Sequence, residues 1–162
     1  GILSLVAVGM IVGSPLVVYI SNRVLKGRKP TLILASCVIV GITSLLAFFT
    51  EELSLAVIGV LCFGLGIFAS AVAVIGFTSA RELFPARISG TCFGLLNLFP
   101  FAGGALLQPL LGSILESQGK IGTAFSPAGY REAFFVLFLS ALGALAASLF
   151  VKETFGVPQR RY

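Results

Sequence analysis

Few side chains in this sequence could carry acid–base, metal or nucleophilic chemistry. The 162 residues include no His, and all six acidic residues are Glu, which excludes His-based catalysis and Asp-dependent magnesium sites. The three cysteines, Cys37, Cys62 and Cys92, are 25 and 30 residues apart in apolar surroundings, which is not a zinc-binding pattern. We expect them to be small buried hydrophobic residues, and we predict no metal or cofactor site.

The remaining candidates for ligand binding are uncharged groups within long apolar runs. Asn97 and Gln108 are the only carboxamides in the predicted membrane helices given below, and their 11-residue separation leaves a helical rotation of only about 20°. A carboxamide is costly in lipid, so this shared face is expected to contact protein or a water-filled cavity. We predict both as substrate or cavity residues, with Phe101 and Ser70 as further candidates. Hydrogen bonding between helices is the alternative, and for Gln108 so is solvation at the membrane interface.

The composition is that of a membrane protein. Hydrophobic residues make up 57% of the chain and charged residues 10%, against about 25% charged in a soluble domain. This leaves too little polar surface for a soluble, disordered or coiled-coil protein. A net charge of +5 would suggest nucleic acid binding in a soluble protein, but here it reflects membrane-flanking loops. We therefore predict the lipid bilayer as a partner and no nucleic acid partner.

The gaps between charged residues predict an all-α, polytopic bundle. Uncharged runs of 22, 21, 28, 28 and 19 residues each approach or exceed the roughly 20 residues that cross a bilayer as a helix. They lack the alternation of β-barrel strands. Thr31 is the predicted N-cap of the second helix, and Ser126 followed by Pro127 that of the fifth. The predicted helices cover residues 1–21, 31–49, 54–78, 89–115 and 130–151.

Glycine and proline concentrate in the first, third and fourth helices, as in Gly9-xxx-Gly13 and Gly90-xxx-Gly94. Such residues allow close helix packing, and they also allow bent helices to gate a transport site. The connection 116–129 is rich in Gly, Ser and Thr, and we expect it to be mobile.

The basic residues predict an orientation. Nine of the eleven Lys and Arg residues fall in the first connection, the third connection and the tail, and two fall on the other side. The positive-inside rule then places the C-terminus in the cytoplasm. We predict a multi-pass protein of the cell (inner or plasma) membrane. The chain would start outside without a signal peptide, so we expect it to begin mid-protein, after further N-terminal helices.

Three stretches resemble the major facilitator superfamily. The first connection, with Asn22-Arg23 and Gly27-Arg28-Lys29, resembles the family's cytoplasmic G-x-x-x-D-R-…-G-R-K signature, with Val18 in place of its Gly and Asn22 in place of its Asp. Residues 80–91, which include Arg81-Glu82-Leu83-Phe84-Pro85, look like the stretch before the family's eleventh helix, and residues 152–156 resemble its P-E-T-x-G ending.

The resemblance implies the last five helices of a twelve-helix fold. The first, third and fourth helices would lie beside a central cavity, and the second and fifth would be peripheral. Arg23, Glu82, Arg87 and Glu153 would form a cytoplasmic charge cluster that holds the inner side closed; the alternative is solvated loop charges.

The leading functional hypothesis is a secondary transporter that moves a small solute by alternating access, together with the remaining N-terminal helices of the same protein. A membrane enzyme fails because the uncharged runs hold no acid–base or metal pair. A non-transporting membrane sensor or assembly protein is the alternative. Any proton carrier would lie in the preceding helices, because the uncharged runs lack Glu.

The orientation is testable with single cysteines in a Cys-less background of the full-length protein. An impermeant thiol reagent added outside should label Glu52→Cys and Gln118→Cys but neither Lys26→Cys nor Ala86→Cys, because basic connections stay inside. Labelling at position 26 in sealed cells would reverse the assignment.

Overall fold

The fold is that of a computed structural model, which describes residues 1, 3–121 and 124–155. Within these residues five helices are long and apolar enough to span a membrane, so the predicted all-helical membrane bundle is confirmed. Two short antiparallel strands, β1 (Lys120–Ile121) and β2 (Ala124–Phe125), pair between the last two helices. The sequence did not predict these strands. The helices are α1 (Leu3–Tyr19, continued by a π-helical turn, Ile20–Val24), α2 (Arg28–Phe48), α3 (Leu55–Leu83), α4 (Ser89–Ser117, after a 3-10 turn, Ala86–Ile88) and α5 (Pro127–Phe150).

The helix starts follow local capping chemistry. The Ser126 hydroxyl accepts from the Gly129 N–H at 3.1 Å with Pro127 at the first helical position, as predicted. The predicted cap at Thr31 is wrong, because α2 already begins at Arg28 with Gly27 as N-cap. Pro30 is tolerated in the first turn, where backbone N–H groups have no intrahelical partner. The Thr31 hydroxyl instead donates to the Gly27 carbonyl at 2.7 Å.

Glycines bring α1 and α3 into direct backbone contact. A Cβ added to Gly9 would lie 2.3 Å from the Phe63 carbonyl oxygen, and one added to Gly66 would lie 2.1 Å from that of Val6. A Cβ added to Gly13 would lie 2.5 Å from the Cα of Ile67. Close packing is therefore the role of Gly9-xxx-Gly13 in this bundle.

The other helices pack through larger side chains. Val17, Leu32 and Ile75 belong to a buried cluster shared by α1, α2 and α3. At the other end of α2, Phe48 meets the rings of Phe135 and Phe138 on α5 edge-on, at centroid distances of 6.1 and 5.7 Å. Helix α2 is thereby held between α3 and α5.

The cysteines differ from expectation in two cases, because Cys92 is only partly buried and Cys37 is exposed. All three are free thiols, and Cys62 is buried as expected. Cys37 is exposed, so the expectation of burial was wrong there. A thiol is apolar enough to be exposed on a helix of such an apolar bundle.

The glycine contact predicts a strong positional effect. Gly66→Ala should lower the unfolding temperature of the purified protein, because overpacking a close contact costs about 1–3 kcal/mol. Gly94→Ala is the matched control, since its Cβ would meet no atom within 4 Å and alanine favours the helix. Equal unfolding temperatures for the two variants would contradict the α1–α3 contact.

Candidate functional site

A buried arginine lies where the first three helices meet at one end of the bundle. Arg28 starts α2, and its guanidinium pairs with Glu82 at the end of α3, with Nη2 2.9 Å from Oε1 and Nε 3.3 Å from both carboxylate oxygens. The two side chains are 10% and 26% exposed. This ion pair links the start of α2 to the end of α3.

The other partners of Arg28 come from the end of α1. Its Nη1 donates to Ser21 Oγ at 3.0 Å and to Asn22 Oδ1 at 2.7 Å. Both acceptors lie in the π-helical turn Ile20–Val24, where the wider winding turns them toward α2. Ser21 is fully buried, and its hydroxyl also contacts the Gly27 carbonyl oxygen at 3.2 Å. The π turn therefore supplies neutral acceptors for a buried cation.

The segment after α5 closes over this pair. Glu153 accepts from the backbone N–H groups of Arg28 at 2.8 Å and Lys29 at 3.1 Å, the first two residues of α2. Thr154 donates to Glu82 Oε2 at 2.6 Å, and the Phe155 ring lies 5.1 Å from the Arg28 guanidinium carbon. We call these seven residues the Arg28 cluster: Ser21, Asn22, Arg28, Glu82, Glu153, Thr154 and Phe155.

Glu153 acts as a distant cap for α2. The N-cap residue, Gly27, has no side chain, and a Cβ there would lie 2.9 Å from Glu153 Oε2. A carboxylate at a helix N-terminus also interacts favourably with the helix dipole. Partial burial by itself raises the pKa of Glu153, but the N–H groups of Phe155, Arg28, Lys29 and Thr154 favour the carboxylate, and the pKa lies below its ordinary value.

The cluster contains two of the four predicted charged residues. Glu82 and Glu153 meet at Arg28, whereas Arg23 and Arg87 are exposed and form no ion pair with any described residue. Sequence reasoning missed Arg28. Its position in Gly27-Arg28-Lys29, directly before an apolar run, was the available signal, but the sequence did not show which basic residue turns inward.

Helix α4 carries most of the predicted cavity residues on an open surface. It has no buried residue along its whole length. Asn97 and Gln108 are exposed, Phe101 is 73% exposed, and neither carboxamide has a hydrogen-bond partner among the described residues. The helix continues through Pro100 and Pro109, so Asn97 and Gln108 keep the common face expected from their spacing.

Ser70 lies elsewhere. It is 1% exposed at the α1–α3 contact, where its hydroxyl donates to the Ile67 carbonyl at 2.6 Å and approaches Gly13. The structure therefore brings three of the four predicted cavity residues onto one helix and places the fourth in a packed contact.

Two cavities among the described residues have volumes of about 10 and 140 Å³, below the roughly 300 Å³ of a small-molecule site. No group of three metal-ligating side chains occurs in the residues described.

Comparison with known proteins gives one match. A family model described as Major Facilitator Superfamily matches residues 2–161. No curated protein and no solved structure matches the chain.

The distant cap predicts a pH-dependent stability difference. With its pKa below the usual value, Glu153 stabilises the fold fully above about pH 4.3, and this contribution is lost as the pH falls through the lowered pKa. Glu153→Gln should therefore unfold at a lower temperature than wild type at pH 7. The expected loss in the free energy of unfolding is about 1 kcal/mol, which is the effect of a lost helix cap.

In detergent the difference should shrink as the pH falls below about 4.3 and through the lowered pKa of Glu153. Glu116→Gln, an exposed carboxylate outside the cluster, is the control and should behave like wild type at pH 7 and at low pH. An unchanged Glu153→Gln deficit at low pH would show that capping by the carboxylate is not its cause.

Proposed function

Because the chain belongs to the major facilitator superfamily, we propose that it forms part of a secondary transporter that moves a small solute across a membrane by alternating access. Members of this family are generally transporters rather than enzymes. The observation that carries the proposal is the open, polar face of α4.

The depth of the two carboxamides supports this role. Helix α4 has 29 residues, about 43 Å at 1.5 Å per residue, and so extends beyond a 30 Å hydrocarbon core. Asn97 lies eight residues after the start of α4, and Gln108 nine residues before its end, so both fall within the core.

A polar face at this depth needs protein or water beside it. We propose that it lines the solute pathway, and that further helices of the same transporter complete the cavity. The glycines of α4 support an open pathway: added Cβ atoms at Gly90, Gly94 and Gly103 would meet nothing within 4 Å. In transporters, solute sites lie near mid-membrane between structural repeats.

We further propose that the Arg28 cluster holds one end of the transporter closed. It joins the ends of α1, α2 and α3 to the segment after α5 through charged hydrogen bonds, so these segments cannot separate without unpairing a buried charge. The distribution of basic residues supports a cytoplasmic location for this end and for the C-terminus in the cell membrane. The five helices would be the last five of a twelve-helix fold.

The non-transporting alternative has no such support. In a sensor or assembly protein the two carboxamides would serve as hydrogen bonds to other helices, and neither makes such a bond to a described residue.

Transport kinetics test the solute pathway. The full-length protein in vesicles should take up a solute found by screening, and Asn97→Ala or Gln108→Ala should raise its half-saturation concentration by roughly 5- to 10-fold, the effect of one lost hydrogen bond. Ser113→Ala is the control on α4, because Ser113 lies about 160° around the helix from Asn97 and bonds its own backbone at Leu110.

Variants should be compared at equal amounts in the membrane. Loss of folded protein without a kinetic change would identify the carboxamides as links between helices. Wild-type kinetics at both positions would remove this face of α4 from the solute pathway.

A further inference from the structure

A second polar site lies at the end of the bundle opposite the Arg28 cluster. A cavity of about 140 Å³ opens between the α2–α3 connection and the start of α5. Its lining combines aromatic rings with charges of both signs: Phe48, Phe49, Thr50, Glu51, Glu52 and Arg131.

The depth of this cavity is set by α2. The helix has 21 residues from Arg28 to Phe48, or about 31 Å, which matches the hydrocarbon core. With Arg28 at one membrane boundary, Phe48 marks the other. The charged groups just beyond Phe48 therefore lie at the level of lipid headgroups.

The charges of the cavity are available to a ligand. Glu51, Glu52 and Arg131 are exposed, and no ion pair joins Arg131 to either carboxylate in the structure as described. The neighbouring Glu132 is engaged by Gln118 Nε2 at 2.8 Å, which points it toward the end of α4. Arg131, Glu51 and Glu52 thus line the same cavity without an ion pair between them.

This arrangement complements a molecule with both an anion and a cation. A guanidinium binds phosphate through paired N–H donors, and carboxylates accept hydrogen bonds from an ammonium group. Phe48 and Phe49 are about half exposed beside the charges, at the depth where acyl chains begin. Two carboxylates against one arginine disfavour a ligand of net negative charge.

We infer that this cavity binds the headgroup of a zwitterionic phospholipid, phosphatidylethanolamine. Arg131 holds the phosphate, Glu51 and Glu52 hold the ammonium, and the two phenylalanines contact the start of the acyl chains. A primary ammonium donates hydrogen bonds that the quaternary group of phosphatidylcholine lacks, so phosphatidylcholine binds more weakly. The site is independent of the proposed solute pathway, because its lining comes from α2, α5 and the connection after α2 rather than from α4.

Native mass spectrometry of the full-length transporter in detergent, titrated with defined phospholipids, tests this site. Wild type should retain phosphatidylethanolamine at least about fivefold more tightly than phosphatidylglycerol, with phosphatidylcholine between them. Arg131→Gln should lose the binding of phosphatidylethanolamine. The double variant Glu51→Gln with Glu52→Gln should bind phosphatidylethanolamine and phosphatidylglycerol with equal affinity. Arg131→Lys keeps the charge and should retain most of the binding.

Lys120→Gln and Glu116→Gln are matched controls, since they make the same charge changes at the same end of the bundle outside the cavity. Equal retention of phosphatidylethanolamine and phosphatidylglycerol by wild type would overturn the inference. So would a result in which Arg131→Gln and the double glutamate variant are both folded and retain phosphatidylethanolamine as wild type does. Displacement of the lipid by equimolar soluble phosphoethanolamine would assign the cavity to a free solute and reject a lipid site.

Discussion

The burial of one guanidinium constrains how this bundle is built at one end. An unpaired buried charge would cost several kcal/mol, so Arg28 needs acceptors at the start of α2. The acceptors come from Glu82 and from the π turn after α1, and Thr154 and Phe155 cover the pair. Ser21 and Phe155 are far apart in sequence, and both contact the guanidinium of Arg28.

The packing of the helices divides the bundle into a closed and an open part. Backbone contact through Gly9, Gly13 and Gly66 fixes α1 against α3, and aromatic contacts fix α2 against α5. Helix α4 contributes no buried residue to this interior, and it carries two exposed carboxamides. The same five helices thus contain a rigid scaffold and a polar surface that the scaffold leaves free.

The sequence predicted the helices because membrane thickness dictates the length of uncharged runs, and it predicted the Ser126 cap because that chemistry is local. It did not predict Arg28 as the centre of the charged cluster. The first connection holds four basic residues, and only the contacts with Glu82 and with Asn22 of the π turn distinguish Arg28 from the others. It also grouped Ser70 with Asn97, although contact between α1 and α3 buries Ser70. Side-chain spacing gives the face within one helix, but the partner of that face depends on tertiary packing.

Closure at the Arg28 cluster is tested most directly by the labelling rate of Asn97→Cys in a Cys-less full-length transporter. A membrane-impermeant thiol reagent is applied from the side of the cluster in inside-out vesicles. Glu82→Gln should raise this rate at least about fivefold, because it leaves Arg28 without its carboxylate, while Arg87→Gln should leave it unchanged. A folded Glu82→Gln transporter labelled at the wild-type rate would contradict the view that this ion pair holds the end closed.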